Sequence, residues 1–186
     1  MSTRQVVVLD VLVWAAWSVV VGYAAHRVPG HRLAHDGPLS RLRPWERDGR
    51  VYERIAIRRW KDKLPDFGGL FPGGVSKRSL ISRSTPDLVR LVAETRRAEL
   101  VHWAVPAVTP VFLLWNPAPL FGAMVAYAVL SNVPCLVVQR YNRGRLRRML
   151  DRRTARARAA PPPRRDATGP RPARPATPPP WEGEPA

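Results

Sequence analysis

Cysteine is nearly absent from this 186-residue chain. Cys135 stands alone, so neither an intrachain disulfide nor a four-Cys or paired-CxxC zinc site can form. That excludes a secreted disulfide scaffold. Acidic residues are scarce as well, with 14 Asp and Glu against 31 Lys and Arg, a formal charge of +17. Charge of either sign is missing from the 39 residues between Leu100 and Val138, and from Gln5 to Ala25 only Asp10 is charged. The mean hydropathy of −0.24 therefore averages two apolar blocks with a basic remainder. Such segregation excludes a soluble basic domain and reads as an integral membrane protein. Proline, by contrast, is abundant at 21 residues, ten of them between Pro161 and Pro185.

The expected fold class is an all-α membrane protein with about three transmembrane helices, at residues 6–25, 98–115 and 120–138. The first run is about 20 residues, enough at ~1.5 Å per residue to cross a ~30 Å hydrocarbon core. It exceeds the ~7–15 apolar residues of a signal peptide, and Tyr23 spoils a small-residue exit, so it is read as retained. The second block divides at Asn116-Pro117-Ala118-Pro119, because each proline lacks an N–H and disfavours helix in the residue before it. A tight helical hairpin follows. Its first arm carries Pro106 and Pro110 and is either kinked or continuous with the amphipathic helix before it, and Pro134 is expected to kink the second.

Between the crossings, Trp45–Trp60 sets Trp45, Val51, Tyr52, Ile55, Ile57 and Trp60 among charges, which reads as one interfacial helix. Phe67–Gly74 holds four glycines and a proline and must be loop. Pro86–Arg97 begins after Thr85, the expected N-cap, and places Leu88, Leu91 and Val92 on one helical face. Two domains result: a helical membrane domain over 1–158 and a disordered Pro/Arg-rich tail over 159–186, too poor in apolar residues to pack.

Positive charge sets the topology. Residues 26–99 carry a net +8 and residues 139–186 a net +9. A hairpin between them returns both to one side, so the central segment and the C-terminus are expected in the cytoplasm and the N-terminus outside, in a multi-pass cell-membrane protein. The arginines beside the membrane point to anionic phospholipid headgroups as partners. Nothing matches a base-reading motif, and no nucleic-acid partner is expected.

Candidate chemistry lies where the second crossing begins. On a helix Glu99 and His102 are i, i+3 neighbours, so the carboxylate can orient the imidazole as a base, with Arg96 and Arg97 adjacent. Polar groups at that depth are costly and read as a functional cluster, the alternative being a headgroup-level snorkelling cluster around a satisfied histidine. A dimetal centre would need a second Glu-x-x-His and further carboxylates, so no metal is expected. His31-x4-Asp36 has the spacing of an acyltransferase motif but is read as coincidence. Cys135 in its apolar arm is read as unreactive, and Asp10 as an acid near the membrane surface. Antiparallel arms joined at Asn116–Pro119 bring Asn132 and the run Gln139, Arg140, Tyr141, Asn142, Arg143 toward His102, and Trp60 and Lys61 can complete the set from the central segment.

Glu94–Trp103 (ETRRAELVHW), Asn132–Leu146 (NVPCLVVQRYNRGRL) and Glu46–Pro65 (ERDGRVYERIAIRRWKDKLP) resemble the glycosyl-4,4'-diaponeurosporenoate acyltransferases over roughly residues 27–150. The resemblance implies O-acyl transfer from an activated fatty acid, a thioester co-substrate, to a sugar hydroxyl of a glycosyl carotenoid or related membrane glycolipid, with no cofactor. On the matched positions His102 is the expected base and Glu99 its orienting acid. Arg97, Gln139, Arg140, Asn142, Arg143, Trp60 and Lys61 are the expected substrate-binding residues. Other enzymes of the same pathway are expected partners. The alternative reading is a non-catalytic membrane scaffold that gathers such enzymes.

Overall fold

The computed structural model describes residues 1–64 and 84–160. The expected loop at Phe67–Gly74 and the tail from Pro161 onward lie outside these residues. The described residues are helical and contain no strand. Helix α1 spans Thr3–Arg27, a short α2 spans Ile57–Trp60, α3 spans Thr85–Ala104 and α4 spans Ala118–Ala159. Helices α1 and α4 are long and apolar enough to cross a membrane.

The cap of helix α3 lies one residue before the expected one. Ser84, not Thr85, is the N-cap: its Oγ accepts from the Asp87 N–H at 3.3 Å while the Asp87 carboxylate accepts from the Ser84 N–H at 3.3 Å. Such a box satisfies two of the unpaired donors of a first turn, and Pro86 fits there because it has no N–H to place. At the far end α3 does not continue as α-helix. It passes into a ten-residue 3₁₀ helix, Val105–Leu114, in the stretch holding Pro106 and Pro110. A 3₁₀ helix rises ~2.0 Å per residue against ~1.5 Å for α, so residues 100–114 extend about 28 Å rather than about 22 Å. The short arm gains reach from its prolines.

The three apolar segments lie side by side, with α1 and α4 both antiparallel to the α3–3₁₀ arm. Asp10 meets Trp115 and Asn116, Trp17 Nε1 donates to the Ala104 carbonyl at 3.1 Å, and Arg97 caps the last turn of α1. From the arm to α4, His102 meets Asn132, Glu99 meets Arg140 and Arg143, and Arg153 reaches Thr85. Trp14, Val108, Phe112 and Ala128 form the core between them, with Trp14 and Phe112 stacked at 5.4 Å. The outward faces stay apolar: Val11, Leu12, Val19, Val20, Leu114 and Leu130 are all exposed, Leu114 to 81%.

Asp10 is buried and partnered. It is 2% exposed, and its Oδ1 accepts from Trp115 Nε1 at 2.7 Å and Asn116 Nδ2 at 2.8 Å. The hairpin turn is thereby tied to α1, and Asn116 is spent on that tie.

The single interfacial helix expected over 45–60 is not formed. The chain instead makes 3₁₀ turns at Pro44–Glu46 and Arg50–Ile55 before α2, interrupted by left-handed residues at Gly49 (φ 72°) and Ala56 (φ 51°). Each left-handed residue reverses the helical path, so Tyr52 and Ile57 turn inward while Trp45 and Ile55 turn out. Tyr52 and Ile57 pack on Val138 and Tyr141 of α4 in a second core. Residues 29–64 thus form a strap laid over α3 and α4.

Candidate functional site

The strap is held by arginines. Arg140 of α4 donates from Nε and Nη2 to the two oxygens of Glu46, each at 2.8 Å, from Nη1 to Glu99 at 2.5 Å and to the Leu39 carbonyl at 3.1 Å, and from Nη2 to the Arg41 carbonyl at 2.9 Å. A guanidinium has five N–H donors, and all five are used. Glu46 also accepts from the Tyr52 hydroxyl and from the Arg43 N–H at 2.7 Å. Burial alone would raise the Glu46 carboxyl, but the Arg140 guanidinium, the Tyr52 hydroxyl and the Arg43 amide outweigh it and hold it at about 2. The same burial and the neighbouring carboxylate push the Tyr52 phenol above its ordinary value.

Glu99 sits beneath this pair with no exposure at all. Its second oxygen lies 2.5 Å from Arg143 Nη2 as an ion pair, without the alignment of a hydrogen bond. Arg143, equally buried, also donates from Nη2 to the Ser40 carbonyl at 2.7 Å, while its Nε and Nη1 have no hydrogen-bond partner among the described residues. One layer further out, Asp36 joins the strap to both long helices: Arg96 donates to it at 2.8 and 3.0 Å and Arg147 at 2.5 and 2.7 Å. Burial would raise the Asp36 carboxyl; the two guanidinium groups overcome that and lower it.

Close approach of the strap needs glycine on both sides. A Cβ on Gly144 would stand 2.7 Å from the Gly49 nitrogen and 3.1 Å from the Glu46 carbonyl oxygen, and one on Gly49 would stand 3.0 Å from the Tyr141 carbonyl oxygen. Gly49 is also left-handed, so it serves the turn and the contact together.

The expected Glu99–His102 pair is therefore not made. Two arginines hold Glu99, and the His102 ring turns to α4, where its Nδ1 lies 3.0 Å from Asn132 Oδ1. The amide end of Asn132 donates to the Ala128 carbonyl at 3.0 Å and to Ser131 Oγ at 3.1 Å, and Ser131 Oγ in turn donates to Tyr127 O at 2.6 Å. With both amide hydrogens engaged, Asn132 presents Oδ1 as acceptor and His102 Nδ1 carries the proton. Nε2 is left with its lone pair. Asn132, 5% exposed, thus fills the orienting role expected of Glu99. Its signal in the sequence was a carboxamide in an otherwise apolar arm.

Of the expected binding residues, Arg97 is occupied: it donates to the carbonyls of Ala25, His26 at 3.1 Å and Val28 at 2.8 Å and to Glu94 at 3.1 Å. Trp60 packs on the Tyr52–Tyr141 core and donates to the Ile55 carbonyl at 3.1 Å, and Lys61 pairs with Asp62 at 2.5 Å. Gln139 and Asn142 flank Arg140 on α4, both half-buried. His102 and Asn132 are brought together; Arg140 and Arg143 belong to the strap's anchorage, and Arg97 holds the end of α1.

These features define a small all-helical protein in which two membrane-length helices stand over a buried carboxylate–guanidinium lattice and one oriented imidazole. Residues 38–152 match the family model of glycosyl-4,4'-diaponeurosporenoate acyltransferase, and the chain belongs to that acyltransferase family. Relatives bearing the same name, from Staphylococcus aureus strains USA300 and NCTC 8325, are each 29% identical over 140 residues, which is 74% of this chain and 83% of theirs. The relative from strain N315 is 28% identical over 139 residues. No solved structure matches the chain. The matched span contains Glu46, Glu99, His102, Asn132, Arg140 and Arg143.

Proposed function

We propose that the chain is a membrane-bound O-acyltransferase that esterifies a fatty acyl group onto a sugar hydroxyl of a membrane glycolipid, a glycosyl carotenoid or a related acceptor. The observation that carries the reading, beside membership of the family, is the tautomer fixed at His102. A ring protonated at Nδ1 by the demand of Asn132 offers Nε2 as a general base.

The sugar O–H gives its proton to Nε2 as its oxygen attacks the carbonyl carbon of an acyl thioester. The C–S bond then breaks, and the departing sulfur takes the proton back from the imidazolium. The ester and the free thiol leave with the base restored. This cycle needs no cofactor.

In this reading α1, the α3–3₁₀ arm and the first half of α4 make three crossings, of which α1 and α4 are long and apolar enough by themselves. The arm's length of about 28 Å matches a ~30 Å hydrocarbon core, and the exposed apolar residues of all three segments would face lipid. The net +8 and +9 of the flanking segments favour a cytoplasmic lattice and C-terminus and an external N-terminus. A glycolipid in the bilayer then approaches His102 laterally, and a soluble thioester reaches the same end from the cytoplasm.

The test is His102→Gln, assayed by ester formation in membranes given labelled acyl thioester and glycolipid. Gln keeps a polar group of similar reach, so abundance in the membrane is expected to stay at the wild-type level while transfer falls by ~10²–10⁴, the usual contribution of a positioned base. Wild-type turnover in the variant would remove the base assignment. A wild-type chain inactive across varied acceptors would overturn the reading in favour of a scaffold.

A further inference from the structure

Arg140 spends all five donors, Arg97 is held through Nε and Nη1, and Arg143 is sealed in the lattice, so the cations most open to a soluble anion lie elsewhere. Arg145, Arg148 and Arg152 occur at i, i+3 and i+7 on α4, hence on one face, with Met149 among them. Arg58 of α2 faces them from the strap, and the five residues line a cleft of about 360 Å³. Arg58 is tied to Glu53 at 2.7 Å and donates to the Tyr141 hydroxyl at 3.4 Å; the Arg145 guanidinium lies over the Tyr141 ring at 5.6 Å. Tyr141 thus sets the floor from which both side chains project. None of Arg145, Arg148 and Arg152 makes an ion pair with a described residue. Asp151, the nearest acid in sequence, points about a quarter of a turn from the mean direction of the three and makes no ion pair with them.

Depth decides what could fill the cleft. Its α4 residues lie about 10–21 Å past Val138, the end of the apolar run, at ~1.5 Å per residue. A headgroup layer adds only ~5–8 Å beyond the hydrocarbon of each leaflet. The outer end of the cleft, at Arg148 and Arg152, therefore opens to the aqueous phase past the headgroup layer, and only Arg145 lies close enough to reach back to a lipid phosphate.

We infer that this cleft binds the phosphorylated nucleotide end of a coenzyme A thioester, the acyl donor of the reaction proposed above, on which the inference rests. Three guanidinium groups without an ion-pair partner, set around the buried Tyr141, suit several phosphates close together. The thioether of Met149 gives the adenosine an apolar contact. Asn132 and the three arginines project nearly half a turn apart on α4, so the flexible arm of the donor has to pass round the helix to reach His102.

The test is calorimetric titration of the full-length chain in phosphatidylcholine nanodiscs with coenzyme A, compared with the double variant Arg148→Gln/Arg152→Gln. Both side chains are at least partly exposed, so the variant is expected to fold. Saturable binding by the wild type is expected, weakened about tenfold or more in the variant and falling with salt. In the transfer assay the variant raises KM for the acyl thioester more than it lowers kcat. A parallel arm counts phosphatidylglycerol retained from mixed nanodiscs by native mass spectrometry. A variant that sheds this lipid yet binds coenzyme A as the wild type does would overturn the inference and assign the cleft to headgroups. Absence of coenzyme A binding by the wild type would also overturn it, as would esterification whose KM is unmoved in the variant. Coenzyme A bound at the cleft by a wild type that forms no ester would uphold the cleft and defeat the acyl-transfer reading alone.

Discussion

Glu99→Gln separates a catalytic carboxylate from a structural one. In the wild type a fully buried carboxylate lies between Arg140 and Arg143, 2.5 Å from a nitrogen of each. Gln keeps the shape but removes the charge and turns one oxygen into a donor facing a guanidinium. Arg140 retains both oxygens of Glu46, so its loss is partial. Arg143 has no other acid within ion-pair distance among the described residues and keeps only the Ser40 carbonyl. Removing one partner of a buried pair leaves an uncompensated charge and costs ~3–5 kcal/mol. At ~2–4 °C per kcal/mol for a chain of this size, the thermal midpoint in detergent should fall by roughly 6–20 °C. The double variant Glu99→Gln/Arg143→Met removes both charges and should recover most of that loss, since an apolar replacement of a whole pair is often neutral. The assay is a thermal melt of purified protein for both singles and the double, with transfer activity measured below each midpoint. A Glu99→Gln protein as stable as wild type but inactive would refute the structural assignment and return Glu99 to the chemistry.

Two further outcomes follow from the strap. Gly144→Ala should drive residues 46–49 off α4, because the new methyl meets backbone atoms 2.7 and 3.0 Å away that cannot rotate aside; limited proteolysis should then cut the strap, and uncut protein would show that the contact yields. Glu46 has a folded value of about 2 against an ordinary 4.5, so its contribution is complete above about 4.5 and is lost as pH falls from there toward 2. The integrated loss is on the order of 3 kcal/mol. Unfolding midpoints of wild type and Glu46→Gln, measured from pH 6 to 3, should converge as the pH falls, and parallel curves would contradict the assignment.

The bundle was legible because its signals are local. Charge-free runs, a proline-bracketed turn and an i, i+3, i+4 stripe each report on neighbouring residues, and each found its helix. The strap was not. Its alternation of aromatics and charges over 45–60 fits an interfacial helix, and only the left-handed conformations at Gly49 and Ala56 break that path. What they turn inward is decided by α4, some 90 residues later, through the Glu46–Arg140 pair and the Gly49–Gly144 contact.

The same distance in sequence explains why the arginines misled. An arginine beside a bilayer is equally suited to a headgroup, a substrate phosphate or a buried acid, and composition cannot choose among them. Three acids drawn from three places, Asp36, Glu46 and Glu99, take four arginines, Arg96, Arg140, Arg143 and Arg147, out of circulation. With those cations neutralised, a carboxylate cannot also serve the imidazole, and the orienting partner of His102 has to be uncharged. Asn132 meets that requirement from the facing helix. Its amide hydrogens are already committed to Ala128 and Ser131, so its oxygen can only accept. The charge pairing of the strap and the tautomer of His102 are thus two consequences of one arrangement, with the ion pairs among the described residues gathered at one end of the bundle and a neutral dyad set just inside it.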